Sequence, residues 1–332
     1  MGPGPSQEEY ACLASSGHKD ATVVECDVAR SLWSLTKGWS EEARQRQRAA
    51  LHRLLTACVA GSGGSIRYYQ GLHDVAAVLL FAVGERCAFR LLTRLAAQQL
   101  RDATRPTLEP VVELLHLLYP ILLQCDVELY DHIEANGIPP FFALSWFITW
   151  FAHNVDDRQQ ITRLFDLFLA SHPLMPLYVA AVAMRANREQ LLSCHDPADL
   201  HHALSNMPIL GPGRPSADEL AQQAAALYST VPPASLRLSH GAGLQQSVAA
   251  AAFKVHGRWA VPEEPPPNTG QFAHNTVSQL QRLFHPNKPR TRAARVVAAM
   301  ATATGLAAVG VAVLLGQLQQ QGHMGPWGSF LR

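Results

Sequence analysis

The sequence predicts an all-α fold, and three observations support that prediction. Apolar residues recur at intervals of three and four, as between Val111 and Leu122, which is the spacing of one helix face. No run of strict apolar–polar alternation is long enough to predict a β-strand. The prolines from Pro106 to Pro176 fall mostly between helix-length stretches, where they separate one helix from the next.

The composition limits the class of protein. The 332 residues include 27 Lys and Arg against 26 Asp and Glu, with 16% charged and 48% hydrophobic residues. This hydrophobic fraction excludes disorder over the whole length. The formal net charge of +1 argues against nucleic acid as a partner, because a nucleic-acid-binding face is strongly basic. The six cysteines are scattered without CxxC spacing, so we expect reduced thiols and no metal site.

Changes in composition divide the chain. Residues 1–22 contain Gly, Pro and Ser without a periodic pattern and are predicted to lie outside the globular domain, which we place at 23–204. Residues 205–295 are rich in proline and are predicted to form a partly helical spacer with a basic end. Its two candidate helices are Ala217–Tyr228 and Leu244–Phe253.

The best-marked helix of the globular domain begins after Ser40 and ends near Ala60. Ser40 is a favourable N-cap residue. Glu41 and Glu42 in the first turn complement the positive end of the helix dipole.

The low charge content is concentrated near the C-terminus. Twenty residues without a charge or a proline run from Val296 to Leu315, which at 1.5 Å per residue just covers a ~30 Å hydrocarbon core. We therefore predict a transmembrane helix at 296–316 and a short lumenal tail at 317–332, the arrangement of a tail anchor. The alternative, a buried Ala-rich core helix, is disfavoured because a core helix of a soluble domain usually has a polar face.

The flanks of this span predict its orientation. Lys288, Arg290, Arg292 and Arg295 precede it, and only Arg332 follows it. The excess of positive charge on the N-terminal side predicts that the bulk of the chain lies in the cytosol.

A polar and aromatic cluster, YYQGLHD at Tyr68–Asp74, precedes an apolar helix predicted at 75–81. The amide of Gln70 can accept a hydrogen bond from a water molecule and donate one to a phosphoryl oxygen. Positioning of the nucleophilic water in GTP hydrolysis requires such a group. The alternative is structural: the tyrosines belong to the core, Gly71 serves a tight turn, and Asp74 caps the helix.

A second motif, VECDVARS at Val24–Ser31, places Asp27 and Arg30 one helical turn apart. The carboxylate can hold the guanidinium, and an arginine held at a helix end can reach the phosphate of a partner. The alternative is an ordinary surface ion pair, which contributes about 0.3 kcal/mol.

Taken together, the two motifs resemble the paired signatures of the TBC domain, an all-helical GTPase-activating domain for Rab GTPases. The resemblance is carried by Val24-x-x-Asp27-x-x-Arg30 and, forty residues later, by Tyr68-x-Gln70-Gly71. It implies that the motif arginine and the motif glutamine act together as a dual finger.

The resemblance assigns these roles to Arg30 and Gln70. Arg30 would neutralise charge on the transferring phosphoryl group, and Gln70 would replace the water-orienting glutamine of the Rab. Asp27, Tyr68, Gly71 and Asp74 would support the two fingers.

The likeness continues downstream and covers residues 23–204. Phe141–Phe151 looks like the third signature of the family, and Arg163–Leu169 resembles its R-x-W-D-x-F helix with Phe165 in place of tryptophan. Several helices precede the arginine motif in the family, so we expect a domain that is shortened at its N-terminus.

The resemblance also implies the partner and the location. The partner would be a GTP-bound Rab that itself binds the GTP and Mg²⁺, so the chain would need no cofactor of its own. The C-terminal anchor is similar to that of an ER-anchored member, which implies the endoplasmic reticulum membrane and a Rab of early secretory, ER-to-Golgi transport. Two alternatives remain open: a catalytically impaired, tail-anchored Rab-binding or scaffold protein, and a small membrane protein of unrelated function.

Overall fold

The computed structural model describes residues 5–32, 35–236, 247–254 and 258–259, and the regular secondary structure of this part of the chain is almost entirely helical. Its α-helices are α1 Gln7–Ala14, α2 Ala21–Ala29, α3 Glu41–Ala60, α4 Leu72–Ala97, α5 Glu109–Leu115, α6 Leu118–Cys125, α7 Val127–Ala135, α8 Leu144–Thr149, α9 Arg158–Ala170, α10 Met175–Ala186, α11 Arg188–Leu192, α12 Pro197–Asn206, α13 Ala217–Thr230 and α14 Val248–Ala252. Short 3-10 helices lie at Pro140–Ala143 and Pro233–Ser235, and two antiparallel two-residue strands lie at Phe253–Lys254 (β1) and Arg258–Trp259 (β2). The prediction of an all-α fold is therefore confirmed.

Helix α1 corrects the expected start of the globular domain at residue 23. Ser6 and Glu9 form a capping box at its N-terminus, which satisfies two backbone N–H groups that a free helix end leaves without partners. Tyr10 is buried, its ring lies 5.1 Å from that of Phe89 in α4, and its hydroxyl donates to Glu85. Residues 5–22 are thus part of the packed domain.

Helices α3 and α4 pack along each other and form the centre of the N-terminal half. The Ser40 hydroxyl accepts from the backbone N–H of Ala43, which confirms the predicted N-cap of α3. Leu51, Leu54 and Leu55 on α3 are fully buried, and burial of each such side chain contributes about 2 kcal/mol.

The C-terminal half is built around α10 and a cluster of aromatic side chains. The rings of Phe165 and Phe168 in α9 lie 5.3 and 5.4 Å from that of Trp150, which follows α8. Trp150 and Phe151 both adopt positive φ, 51° and 64°, so the chain turns sharply where α8 ends. This turn brings Ile148 and Thr149 to the side of the domain that faces the Tyr68–Asp74 segment.

Helix α13 corrects the expected end of the globular domain at residue 204. It begins at Ala217, as predicted, and packs on α9 and α10. The rings of Tyr178 in α10 and Tyr228 in α13 are 5.3 Å apart, and Leu220 is fully buried. The first part of residues 205–295 is therefore packed structure and not spacer.

Of the second predicted helix of the spacer, Leu244–Phe253, residues 244–246 lie outside the described residues. The helix described there is Val248–Ala252, with Ser247 as its N-cap and Phe253 in β1. Val248, Ala249 and Ala252 are all buried, so this short segment also packs on the domain.

Within the described ranges, no helix has the length and apolar character that a membrane crossing requires. The predicted span at 296–316, the basic residues before it and the tail at 317–332 lie outside the described residues.

Candidate functional site

Arg30 lies where α2 ends, and its side chain is 61% exposed. Its Nη2 atom donates a 2.5 Å hydrogen bond to Oδ1 of Asp27, one helical turn earlier. Asp27 is fully buried. One carboxylate therefore holds the guanidinium through Nη2, and the rest of the guanidinium faces solvent.

Tyr68 holds the other oxygen of the same carboxylate. Its hydroxyl donates to Oδ2 of Asp27 over 2.7 Å, so Asp27 joins the end of α2 to the segment before α4. Burial, and then the negative charge of Asp27, raises the pKa of Tyr68 far above its usual value. Tyr68 therefore remains a neutral hydrogen-bond donor over the physiological pH range.

Asp20 forms a second connection between the same two segments. Its carboxylate accepts from Nη2 of Arg67 at 2.7 Å and from the backbone N–H of Tyr68 at 3.0 Å. Sequence reasoning missed Asp20, because its partners lie 47 and 48 residues further along the chain.

Gly71 allows the loop that carries Gln70 to fit against α8. Its φ is 117°, and a Cβ at this position would lie 2.8 Å from Cγ2 of Thr149. The Tyr69 hydroxyl donates to the carbonyl of Ile148 over 2.8 Å and fastens the loop there. The side-chain amide of Gln70 is partly exposed, and among the described residues it makes no hydrogen bond.

Asp74 has a different role from the helix cap of the structural alternative. The N-cap of α4 is Gly71, and Asp74 lies in the first turn. Its carboxylate contacts two histidines, with Oδ1 at 3.4 Å from Nε2 of His73 and Oδ2 at 3.2 Å from Nδ1 of His153. Neither histidine was identified from the sequence, although His73 stands inside the YYQGLHD motif.

The structure brings most of the predicted site residues together. A continuous chain of contacts joins Arg30, Asp27, Tyr68, His73 and Asp74. Gln70 and Gly71 belong to the same loop as Tyr68, but no bond joins Gln70 to Arg30 among the described residues.

The site differs from a pocket for a small substrate. A groove of about 540 Å³ lies beside α9 and is lined by residues such as Leu35, Phe81 and Arg158, but not by Arg30 or Gln70. Arg30 and Gln70 offer a cation and an amide on an open surface. A guanidinium neutralises phosphate charge, and an amide both donates and accepts, so this pair is suited to act on a reacting group that a partner carries.

Comparison with known proteins identifies the family of the chain. The family model of the Rab-GTPase-TBC domain matches residues 5–192, more than half of the chain, and its start agrees with the packed helix α1. TBC1 domain family member 20 of Homo sapiens is 34% identical over 304 residues, which cover 91% of this chain and 74% of that protein. The GTPase-activating protein gyp10 of Schizosaccharomyces pombe is 34% identical over 229 residues, which cover 68% of this chain and 60% of that protein.

A solved structure supports the fold. A crystal structure of the Chlamydomonas flagellar RabGAP TBC domain superposes with a TM-score of 0.50 and 16% sequence identity, covering 67% of this chain and 72% of that one. The match to the family model and the 34% identity to its relatives show that the chain belongs to the Rab-GTPase-TBC domain family. The chain is a GTPase activator for a Rab partner, and the chain itself needs no cofactor.

Proposed function

We propose that Arg30 and Gln70 are the two fingers that this chain inserts into the active site of its Rab partner. The observation that carries the proposal is the bridge at Asp27, whose buried carboxylate binds Arg30 with one oxygen and Tyr68 with the other. Because Tyr68 is two residues from Gln70, the same bridge fixes the position of the Gln70 loop relative to α2.

The proposed mechanism uses only positioning and charge. GTP and Mg²⁺ stay on the Rab. Arg30 neutralises the negative charge that develops on the transferring phosphoryl group, and an arginine supplied in trans accelerates turnover by roughly 10³–10⁵. The amide of Gln70 accepts a hydrogen bond from the attacking water with its oxygen and donates one from its nitrogen to the phosphoryl group.

We also propose that the chain works at the endoplasmic reticulum membrane, on a Rab of early secretory, ER-to-Golgi transport. The support is the apolar stretch at 296–316 with its basic N-terminal flank, which predicts a single-pass anchor and a cytosolic domain. A glycosylation acceptor introduced into residues 317–332 tests the orientation. Modification of that acceptor is expected, and an unmodified but membrane-bound chain would contradict the lumenal tail.

The fingers are tested by measuring GTP hydrolysis on a panel of GTP-loaded Rabs with the full chain. For the Rab that the wild type activates best, we expect Arg30→Ala to lower stimulated turnover by about 10³. Arg30→Lys should not rescue it, because a point charge lacks the planar guanidinium fork. Gln70→Ala should also reduce turnover, whereas Arg46→Ala, at an exposed arginine of α3, is the matched control.

The outcomes separate this proposal from the alternative. Equal stimulation by wild type and Arg30→Ala would exclude Arg30 as a finger. Binding of GTP-loaded Rab by the wild type without faster hydrolysis would favour a catalytically impaired Rab-binding or scaffold protein.

A further inference from the structure

A row of polar side chains leads from the Asp27 bridge to the protein surface. The hydroxyl oxygen of Tyr68 lies 2.9 Å from Nδ1 of His73, and Nε2 of His73 lies 3.4 Å from Asp74. The other oxygen of Asp74 lies 3.2 Å from Nδ1 of His153. The row therefore ends at a partly exposed histidine, 38% accessible, in the segment between α8 and α9.

The hydrogen bond between Tyr68 and His73 has a fixed direction. The single hydroxyl proton of Tyr68 goes to Asp27, so the contact with His73 forms only if Nδ1 of His73 is the donor. Nδ1 also lies 3.6 Å from Oδ2 of Asp27. His73 is thus a buried donor that faces the same carboxylate oxygen as Tyr68.

The outer end of the row is held by charge. The hydrogen bond that the His153 ring donates to Asp74 raises the pKa of His153 above its usual value. Burial opposes this shift, and the negative charges of Asp74 and Asp156 add to it. The groups that face His153 are Asp74 from α4 and Asp156 from its own segment, and Asp156 in turn binds Lys37 at 2.8 Å. Protonated His153 therefore bonds Asp74 as a charge-assisted pair.

We propose that His73 and His153 are positioning residues that hold the finger Arg30 through Asp27, an inference that rests on the proposed role of Arg30. The reason is geometric. The guanidinium of Arg30 is bonded through Nη2 to Asp27 alone within the described part of the chain. The direction of the guanidinium therefore depends on the rotation of the Asp27 carboxylate, which Tyr68 and His73 restrict.

The row also makes the proposed positioning sensitive to pH. As the pH rises through the titration of His153, the ring loses its charge and its bond to Asp74 weakens. Asp74 is then less able to hold His73. Stimulated turnover is expected to fall on the alkaline side, while the affinity for the Rab stays the same.

The test measures kcat and KM of the full chain from pH 6.5 to 8.5, with the Rab that the wild type activates and with its intrinsic hydrolysis subtracted. We expect His153→Ala to lower kcat about tenfold, the effect of losing one charge-assisted bond, with unchanged KM and a flattened pH profile. His153→Lys, which keeps a cation at this position, should recover part of the loss. His202→Ala, at an exposed histidine of α12, is the matched control.

His73→Gln gives an independent measurement, because a glutamine amide can still donate to Tyr68 but lacks the second ring nitrogen that contacts Asp74. We expect a smaller fall in kcat than for His73→Ala. If the variants at the buried position 73 do not fold, the kcat and pH profile of the His153 variants test the proposal on their own.

The inference is overturned if His153→Ala keeps the wild-type kcat and pH profile while Arg30→Ala loses stimulation. If Arg30→Ala itself keeps full stimulation, the finger assignment fails instead. The two failures are therefore distinguishable in one experiment.

Discussion

The hydroxyl of Tyr68 donates a 2.7 Å hydrogen bond to the buried carboxylate of Asp27, across 41 residues of chain. The same carboxylate binds Arg30. One interaction thus combines two tasks: it joins α2 to the segment before α4, and it fixes the group that orients an exposed arginine. Removing the hydroxyl alone tests both tasks.

Tyr68→Phe is expected to destabilise the fold by about 1–3 kcal/mol, because Asp27 stays buried and loses a donor. Stimulated turnover should fall as well. Urea unfolding measures the first effect and GTP hydrolysis the second. Tyr178→Phe is the matched control, since its hydroxyl donates to the carbonyl of Val231, away from the site. That variant should lose stability and keep turnover; a parallel loss of turnover in both variants would mean that stability alone explains the effect of Tyr68.

Gly71→Ala is expected to damage the Gln70 loop. The φ of 117° and the approach of Thr149 Cγ2 to 2.8 Å from an added Cβ should together lower the free energy of unfolding by about 2–4 kcal/mol. Turnover should also fall, because the loop shifts. Gly137→Ala is the control, because Gly137 also has positive φ, 63°, but has free space around it. For this control we expect the free energy of unfolding to fall by about 1–2 kcal/mol and turnover to stay unchanged.

A second substitution separates the two causes at Gly71. Thr149→Ser removes Cγ2 and keeps the hydroxyl, which donates to the carbonyl of Ser145. In the Gly71→Ala background it should restore part of the stability measured by urea unfolding. No recovery would assign the whole cost to the backbone conformation.

The local parts of the site follow from the sequence, and the long-range parts do not. Asp27 and Arg30 are three residues apart in a helix, so their ion pair is predictable from spacing. The bond from Tyr68 to Asp27 and the approach of His153 to Asp74 span 41 and 79 residues. Such contacts depend on how helices pack, which periodicity does not specify.

The two corrected boundaries have a similar cause. Helix α1 has only eight residues, and most of its positions are exposed. Its sequence therefore shows no apolar residues repeating at helical spacing. The S-x-x-E pattern at Ser6 and Glu9 was the available signal. Beyond residue 204 the packing depends on partners that are distant in the sequence, which no local pattern predicts. Tyr228 of α13 packs on Tyr178 of α10, and α14 is bonded to Asp102, more than 140 residues earlier.

Asp102 is expected to fasten the segment 247–249 to the domain. Its buried carboxylate accepts from the hydroxyl of Ser247 at 2.6 Å and from the backbone N–H groups of Val248 and Ala249 at 2.9 and 3.4 Å. Asp102→Asn replaces one acceptor oxygen with a donor that faces N–H groups. We expect a loss of about 1–3 kcal/mol in urea unfolding and faster proteolysis near residue 247.

Ser247→Ala is the milder companion variant. It removes the hydroxyl bond and the N-cap of α14, whose Ser247 side chain accepts from Ala250, and it leaves the two backbone bonds to Asp102. A loss of about 1 kcal/mol is expected. Equal protease sensitivity of wild type and Asp102→Asn would show that the contact does not hold the segment.

His172 is expected to make the fold sensitive to acid. Burial lowers the pKa of His172 to about 4, and its Nδ1 accepts from the backbone N–H of Leu174 at 3.1 Å, so the folded state favours the neutral ring. The folded pKa lies below the unfolded value of about 6.5. The contribution of neutral His172 to the free energy of unfolding is therefore fully present above pH 6.5. It decreases as the pH falls and is lost at about pH 4.

His172→Asn tests this acid sensitivity, since an asparagine oxygen can accept from Leu174 but does not titrate. We expect the Tm of the wild type to fall more steeply than that of the variant between pH 6.5 and 4. Carboxylates that titrate in the same range affect both proteins alike, so the difference between the two curves isolates the histidine. His202→Ala should follow the wild type, because His202 is exposed. Parallel curves for wild type and His172→Asn would place the acid sensitivity elsewhere in the fold.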